Sequence, residues 1–393
     1  MNNEGSISQY AGIWTRDLVL VFLAVLAFQA AYQALVPAVP IYLTTLGSNE
    51  REVGVLVGIS GVAALVSRFF VGAILTRYSE KRVMLFGTAL FVLTLCAYIV
   101  LRPFWPLFIV RAVQGIAFAS IHTAAFTYAV KTIAPSHRGQ GIAYFTLSSH
   151  LAMALAAPFG MFLVNRYNFT VFFLTFASLC VRSFFLTSRA KEGETIGAPE
   201  QQSHSTTLVE WKIVAPGIAF FLHMFVYGAV TAFFPLYALQ RGVTNPGLFF
   251  GASAVAVVAG RVFGGRILDT YNKEKMIAAL IVIIMAAMVL LSFSKNLPMF
   301  IFVGFIFGTG MAFFMPASMV YALEHAGSSG GPAVATFNAS GDLGVALGAA
   351  IMGLIVSLTG YPLLFLSLAL ICFINFCYFQ FYVATRRNVV PTG

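Results

Sequence analysis

Charged side chains are scarce in this chain of 393 residues: only 9% are Asp, Glu, Lys or Arg, and 60% are hydrophobic. A soluble globular protein carries about a quarter charged residues and is about half apolar. The composition therefore excludes an ordinary soluble domain and indicates an integral membrane protein.

Cysteine is also rare, with four residues that all lie inside apolar runs and lack the spacing of metal ligands. We interpret them as small core side chains, so neither a disulfide framework nor a metal site is expected. The four residues are Cys96, Cys180, Cys372 and Cys377.

Two functional signatures are missing. The sequence has no H-E-x-x-H pair for zinc and no glycine-rich P-loop for nucleotide phosphates. A membrane enzyme and direct drive by ATP are therefore disfavoured, and no cofactor is expected. The net charge of +10 comes from short basic clusters between apolar runs. A nucleic-acid partner would need a continuous basic face, so none is expected.

Long apolar runs are abundant, and each can cross about 30 Å of hydrocarbon at 1.5 Å per residue. The first run is too long for a signal-peptide core and no small-residue cleavage site follows it, so we expect a retained helix in a protein that begins near Met1. The twelve predicted spans are 18–43, 53–75, 83–101, 105–130, 140–164, 168–187, 213–239, 247–268, 276–294, 297–323, 332–357 and 361–384.

The basic residues between the spans indicate the orientation in the membrane. If both termini are cytoplasmic, 15 Lys and Arg residues fall in cytoplasmic segments and 5 fall in outer loops. Cytoplasmic loops carry the excess of Lys and Arg in membrane proteins. We therefore predict a multi-pass chain with both termini inside.

The chain contains an internal repeat. "RFFVGAILTRYSEKR" at 68–82 returns 193 residues later as "RVFGGRILDTYNKEK" at 261–275. With the same offset, Gly58 overlies Gly251 and Ser60 overlies Ser253. Six spans per repeat, both starting on the same side, predict an all-α membrane protein with twelve transmembrane helices in two pseudo-symmetric six-helix bundles.

Three segments follow from this repeat. The first bundle is predicted at 1–187 and the second at 213–393. Between them, 188–212 is the one long polar segment, and it has the composition of a flexible cytoplasmic linker.

The repeated turn and the twelve-span layout resemble the major facilitator superfamily over essentially the whole chain. In that family the turn after the second helix reads approximately G-x-L-x-D-R-x-G-R-K, and here Thr76 replaces its acid. The resemblance implies paired cytoplasmic latches, the first being the weaker, in which glycine permits a close helix approach. Two basic turns with no gating role remain the alternative. The gating residues that the resemblance implies are Gly72, Arg77, Lys81, Gly265, Asp269 and Lys273.

Two further motifs strengthen the resemblance. Arg111, Gln114 and Gly115 match R-x-x-Q-G, a fourth-helix motif that the family associates with proton-coupled antiporters. The fifth helix resembles the antiporter pattern of small residues ending in Gly-Pro-x-x-Gly. It departs from that pattern because an alanine replaces the first glycine and the last glycine comes one residue early. The helix 5 residues are Ala157, Pro158 and Gly160.

Few titratable groups lie inside the spans. Asp342 is the only acid near the middle of a span, where burial costs about 2.5–3.5 kcal/mol on insertion scales. Asn338 lies one turn before it. We predict proton coupling or substrate contact for Asp342, with structural hydrogen bonding as the alternative, and for Arg111 either a functional role or a snorkelling charge. The proton-coupling candidates are Asp342, Arg111, His150, His122 and His223.

A substrate cavity is expected at mid-depth. Helix 1 carries a polar strip and is expected to be interrupted by Pro37 and Pro40, with Pro235 as the echo in helix 7. Around the polar groups we expect an apolar and aromatic lining, which includes Tyr128 and Phe313. The cavity candidates are Gln29, Tyr32, Gln33, Gln114, Phe118, Tyr227, Asn338, Met311 and Phe314.

The predicted function is secondary active transport by alternating access, with proton-coupled efflux of an amphipathic or lipophilic small molecule such as a drug or a siderophore-like metabolite. The alternative is a symporter that imports a polar nutrient such as a sugar or an organic acid. The expected partners are the substrate, protons and the lipid bilayer, with the proton gradient as energy source. A monomer in the plasma membrane is expected.

Overall fold

The computed structural model describes residues 15–102, 104–133, 138–192, 210–263, 272–326 and 330–383. Every regular element in these ranges is helical, and no strand occurs in them. The helices, in chain order, are α1 Arg16–Thr45, α2 Glu50–Ile74, α3 Glu80–Val100, α4 Phe104–Thr132, α5 Arg138–Arg166, α6 Phe169–Arg189, α7 Trp211–Gln240, α8 Gly247–Phe263, α9 Lys273–Phe293, α10 Leu297–Ala326, α11 Gly330–Thr359 and α12 Tyr361–Tyr378.

Eleven of these described helices are long and apolar enough to cross a membrane. The remaining helix, α8, has 17 described residues and is shorter. Each helix coincides with one predicted span, and most extend it by a few residues because the helix continues past its apolar stretch. The end of the eighth predicted span, 264–268, lies outside the described residues, and a π-helical turn at 379–383 follows α12. The protein is thus an all-helical, multi-pass membrane protein.

The prediction of an interrupted first helix is wrong. α1 runs without a break through Pro37 and Pro40, and α7 runs through Pro216 and Pro235. Each proline removes one intrahelical hydrogen bond, but neighbouring helices support the segment and keep it helical in a membrane. Pro37 and Pro40 are both buried against such neighbours. Side chains, and not opened backbone, therefore supply the polar groups of this region.

The helix contacts repeat along the chain. α1 packs against α5 and α6, α3 packs against α4 and α6, and α2 packs against α4. The later helices form the same set of pairs: α7 with α11 and α12, α9 with α10 and α12, and α8 with α10. The first six and the last six helices meet mainly along two long contacts, α2 with α11 and α5 with α8. We call these the first seam and the second seam.

Equivalent glycines make equivalent contacts in the two sets of helices. A Cβ added to Gly115 on α4 would lie 2.1 Å from the carbonyl oxygen of Ser60 on α2. A Cβ added to Gly308 on α10 would lie 2.1 Å from the carbonyl oxygen of Ser253 on α8. Only glycine permits this approach. The pairs differ by 193 residues in both members, so the register of the repeat is present in the packing.

Candidate functional site

A cavity of about 300 Å³ lies between the two sets of helices. Residues of α1, α2, α4, α5, α7 and α11 line it. The polar and titratable lining residues are Gln29, Tyr32, Gln33, Ser60, Arg68, Arg111, Gln114, His122, Ser149, Tyr227, Thr231 and Asp342. Apolar residues such as Leu35, Val39 and Phe118 line the rest, so the cavity combines polar groups with an apolar wall.

Six of the nine predicted cavity residues line this space: Gln29, Tyr32, Gln33, Gln114, Phe118 and Tyr227. The other three lie elsewhere. Phe314 is fully buried in the core and Met311 packs beside that core, while Asn338 on α11 is outside this lining. The aromatic lining expected from Tyr128 and Phe313 is likewise absent from this cavity, because both side chains are buried in the hydrophobic core of the described helices.

Asp342 forms an ion pair across the first seam. Its Oδ2 atom lies 2.8 Å from Nε of Arg68 on α2, and Oδ1 accepts a 3.5 Å hydrogen bond from the same guanidinium. About a quarter of each side chain is exposed, and both line the cavity. A carboxylate inside a membrane protein needs such a partner or a wet cavity, and here it has both.

Small residues bring the two helices of this seam together. A Cβ added to Gly54, Gly58 or Gly61 on α2 would lie 2.5, 2.7 or 3.1 Å from atoms of Ala349 and Ala346 on α11. Close backbone approach at small residues is typical of packing in membranes. The same helix continues from these glycines to Arg68, which lies further along the seam. The seam therefore sets Arg68 opposite Asp342.

Arg111 is held by the backbone of α2. Its Nε donates to the carbonyl oxygen of Leu56 at 2.8 Å, and its terminal nitrogens donate to Val57 O at 3.3 Å, Ser60 Oγ at 2.8 Å and Gln114 Oε1 at 2.6 Å. The side chain is only 8% exposed. No acid among the described residues lies within ion-pair distance of it. Arg111 is therefore an anchored charge in the cavity wall and does not snorkel to the surface.

Three buried amide atoms of the lining have no hydrogen-bond partner among the described residues: Oε1 of Gln29, Oε1 of Gln33 and Nε2 of Gln114. The other amide atoms of Gln29 and Gln114 are engaged, since Gln29 Nε2 donates to Ser149 Oγ and Gln114 Oε1 accepts from Tyr98 Oη at 3.0 Å. Buried polar atoms without partners are costly. The cavity therefore presents acceptors and a donor to whatever fills it.

The three histidines occupy different places. His122 lines the cavity beside Phe118, with 5.4 Å between ring centroids. His223 on α7 is buried, stacks on Phe314 at 3.5 Å, and has Nε2 3.2 Å from the sulfur of Met311. His150 lies outside this lining but directly follows the lining residue Ser149. Of the three, only His122 is within the cavity that holds Asp342.

The helix 5 motif forms the second seam. A Cβ added to Gly247 on α8 would lie 2.4 Å from the carbonyl oxygen of Ala157, and one added to Gly251 would lie 3.1 Å from the ring of Pro158. Gly160 instead faces Phe172 of α6 at 2.8 Å. The motif therefore joins α5 to a helix of the other set.

The repeated turn has a different arrangement from the expected one. A Cβ added to Gly72 would meet no described atom within 4 Å, so the expected close helix approach is wrong for this conformation. Arg77 is exposed, and neither it nor Lys81 forms an ion pair with a described residue. Gly265 and Asp269 of the second copy lie outside the described residues.

Two ion pairs do lie at these turns. Glu80 at the start of α3 pairs with Lys131 at the end of α4, and Lys273 at the start of α9 pairs with Glu324 at the end of α10. The positions match at the 193-residue offset, but the charges are exchanged. Among the described residues, Arg82 also pairs with Glu192 at 3.5 Å. The turns thus tie neighbouring helices of the same set together.

Sequence reasoning missed Arg68 as the partner of Asp342, and it missed both turn ion pairs. The charge exchange at 80 and 273, and at 131 and 324, was visible in the repeat alignment and predicts equivalent pairs. No such signal exists for Arg68 and Asp342, which are 274 residues apart. Among the described residues no group of three or more His, Cys, Asp or Glu side chains could hold a metal ion.

The sequence model of the protein family described as Major Facilitator Superfamily matches residues 21–330 and 218–392 of this chain. The chain belongs to the major facilitator superfamily. This superfamily consists of transporters, so the protein is a membrane transporter and not an enzyme. The polar cavity between its two sets of helices is the corresponding candidate substrate site.

Two relatives in this superfamily are described as export or resistance proteins. The chain is 24% identical over 370 residues to the Staphylopine export protein of Staphylococcus aureus strain Mu50, covering 88% of this chain and 90% of that one. It is 21% identical over 309 residues to the Quinolone resistance protein NorA of Staphylococcus aureus strain COL, covering 75% and 78%.

Solved superfamily structures share the fold. The nucleoside transporter NupG superposes with a TM-score of 0.74 at 14% identity and covers 93% of this chain and 100% of NupG. A POT family transporter in complex with a thioalcohol-conjugated peptide gives a TM-score of 0.77 at 12% identity, with coverage of 96% and 97%.

Proposed function

We propose that the protein exports an amphipathic small molecule in exchange for protons. The relatives named as an export protein and a resistance protein support the direction of transport. The cavity wall combines hydrogen-bonding groups with apolar residues, which favours an amphipathic substrate, such as a siderophore-like metabolite, over a purely lipophilic drug. The proton gradient is the energy source, and no cofactor is needed.

In this proposal the transporter consists of twelve transmembrane helices in two six-helix bundles, at 1–187 and 213–393, joined by the cytoplasmic linker 188–212. The repeated helix pairs support the division. Both termini are cytoplasmic, in keeping with the excess of Lys and Arg on that side. The protein works as a monomer in the plasma membrane.

The two seams are the contacts that change during transport. In the described structure, Gly54 packs on Ala349 and Gly247 packs on Ala157 near one end of the seams, where α2 and α8 begin. With cytoplasmic termini, this end faces outward. The conformation is therefore closed to the outside, and alternating access requires these glycine contacts to separate.

The ion pair between Arg68 and Asp342 couples protons to this movement. The pair carries the proposal because it joins α2 to α11 across the first seam and lies in the cavity wall. Protonation of Asp342 removes its charge and with it the attraction to Arg68. The seam then opens more easily, and loss of the proton restores the pair.

Proton flux in proteoliposomes tests this function, with intact protein compared with Asp342→Asn. The substrates are lipophilic cations, dyes, siderophores and sugars. We expect substrate-evoked proton movement opposite to the substrate in intact protein and its loss in the variant. Glu192→Gln makes the same acid-to-amide change at an exposed site outside the cavity and should keep antiport.

Other outcomes would contradict the proposal. Unchanged antiport in Asp342→Asn would make this acid structural and move attention to Arg111 and His122. Proton movement in the same direction as a sugar or an organic acid would indicate the symporter. That second candidate is favoured by one observation, the number of hydrogen-bonding groups that line the cavity.

A further inference from the structure

Each seam contains an arginine at the equivalent position, but the residues opposite the two arginines differ. Arg68 on α2 and Arg261 on α8 are equivalent at the 193-residue offset, and each follows the glycine contacts of its seam. Arg68 faces Asp342, but the residue equivalent to Asp342 on α5 is Ser149. The second seam therefore has the cation of the first without its acid.

Arg261 has no hydrogen-bond or ion-pair partner among the residues that the structure describes, and its Nε atom is buried. On α5, His150 directly follows Ser149, the residue equivalent to Asp342. A half-buried guanidinium that lacks a counter-charge is costly, and it binds a planar carboxylate well through two parallel hydrogen bonds. The second seam therefore offers a site for a carboxylate.

The net charge of the groups in the cavity wall and at the second seam is positive. Arg68, Arg111 and Asp342 are the charged residues among those described that line the cavity, and Arg261 lies on α8 of the second seam. Asp342 compensates Arg68, so two cations remain. An anionic substrate would be attracted to such a site, and a cationic one would be repelled.

The site adjoins a residue of the cavity wall, and Arg68, the equivalent of Arg261, itself lines the cavity. Ser149 lines the cavity and accepts a hydrogen bond from Gln29, and His150 is the next residue on α5. A substrate of several polar groups could thus contact the amide atoms of Gln29 and Gln33 and also reach the second seam.

We propose that Arg261 binds a carboxylate group of the substrate, so that the transported molecule is an organic anion. The substrate carboxylate takes the place at the second seam that Asp342 has at the first. Binding of substrate then stabilises the second seam, while the proton acts on the first. This inference rests on the proposed function, because it assigns the substrate class of the same cavity.

Binding of a matched pair of probes tests the inference. Full-length protein in phosphatidylcholine nanodiscs, which contain no anionic lipid, is titrated with 2-naphthylacetate and with the neutral 2-naphthylacetamide, and the shift in Tm gives the apparent Kd. We expect intact protein to prefer the carboxylate. Arg261→Gln should weaken its binding about ten- to a hundredfold and leave the amide unchanged, because a hydrogen bond to a charged group is lost.

Three further variants sharpen the result. Arg241→Gln makes the same change at an exposed cation beyond α7, which contacts the ring of Tyr237 at 5.3 Å, and should bind like the intact protein. Arg261→Lys should keep part of the preference. Ser149→Asp supplies the missing acid, so it should occupy Arg261 and abolish carboxylate binding even though Arg261 is present.

Equal binding of the two probes by intact protein, or an unchanged preference in Arg261→Gln, would overturn the inference. Proton-coupled export of a neutral dye by the same variants reports on the proposed function separately. If dye export with proton exchange persists while the carboxylate preference is absent, the substrate class is wrong and the exporter stands. If the carboxylate preference is present but no proton moves during dye export, the substrate class stands and proton-coupled export is wrong.

Discussion

The ion pair between Glu80 and Lys131 should respond very differently to removal of its acid and removal of its base. The side chain of Glu80 is 5% exposed, while that of Lys131 is 39% exposed. Lys131→Gln leaves a buried carboxylate without a partner, which costs about 3–5 kcal/mol. Glu80→Gln leaves an ammonium that water can reach, so the loss should be about 1 kcal/mol.

The equivalent pair in the second half provides an internal comparison. The side chains of Lys273 and Glu324 are 29% and 49% exposed, so water can solvate either charge when the other is removed. Exposed pairs contribute about 0–1 kcal/mol. Lys273→Gln and Glu324→Gln should therefore have similar, small effects on the free energy of unfolding.

Unfolding by SDS titration in mixed micelles, followed by tryptophan fluorescence, would give these free energies. A double-mutant cycle on each pair isolates the interaction between its two charges. Equal costs for Lys131→Gln and Glu80→Gln would refute the reasoning, because the asymmetry follows only from the difference in exposure. Equal coupling energies in the two halves would refute it as well.

Glycine substitutions provide the remaining predictions. Gly115→Ala should cost about 1–3 kcal/mol of stability and also lower transport, since its Cβ would overlap Ser60 O and displace the helix that anchors Arg111. Gly72→Ala, with open space around it, should leave thermal stability unchanged, and a matching loss at both positions would contradict the packing argument. Gly242 has a φ of 77°, so Gly242→Ala should cost about 1 kcal/mol and lower Tm, whereas Gly242→Asn should cost less.

Much of the fold could be predicted from the sequence. The position of each helix follows from its apolar run, and the equivalent contacts of Gly115 and Gly308 follow from the repeat. The continuity of α1 could not be predicted, because whether a membrane helix passes through Pro37 and Pro40 depends on the neighbours that support it.

The site was predictable only in part. Asp342 attracts attention because an acid in an apolar run needs compensation, and the polar strip of α1 marks Gln29 and Gln33. The partner of Asp342 depends on which helices meet across the two halves, and local sequence contains no information about that contact. The anchoring of Arg111 by carbonyl groups of α2 was hidden for the same reason, since backbone atoms have no signature in the sequence.

The exchanged charges at the turns also bear on assembly. A chain built from two similar halves can misassemble if an early helix docks in the place of its later counterpart. With α3 against α10, Glu80 would meet Glu324, and with α9 against α4, Lys273 would meet Lys131. Like charges would then face each other at both turns. The charge exchange therefore favours pairing between helices of the same half during insertion and disfavours a domain-swapped or interleaved product.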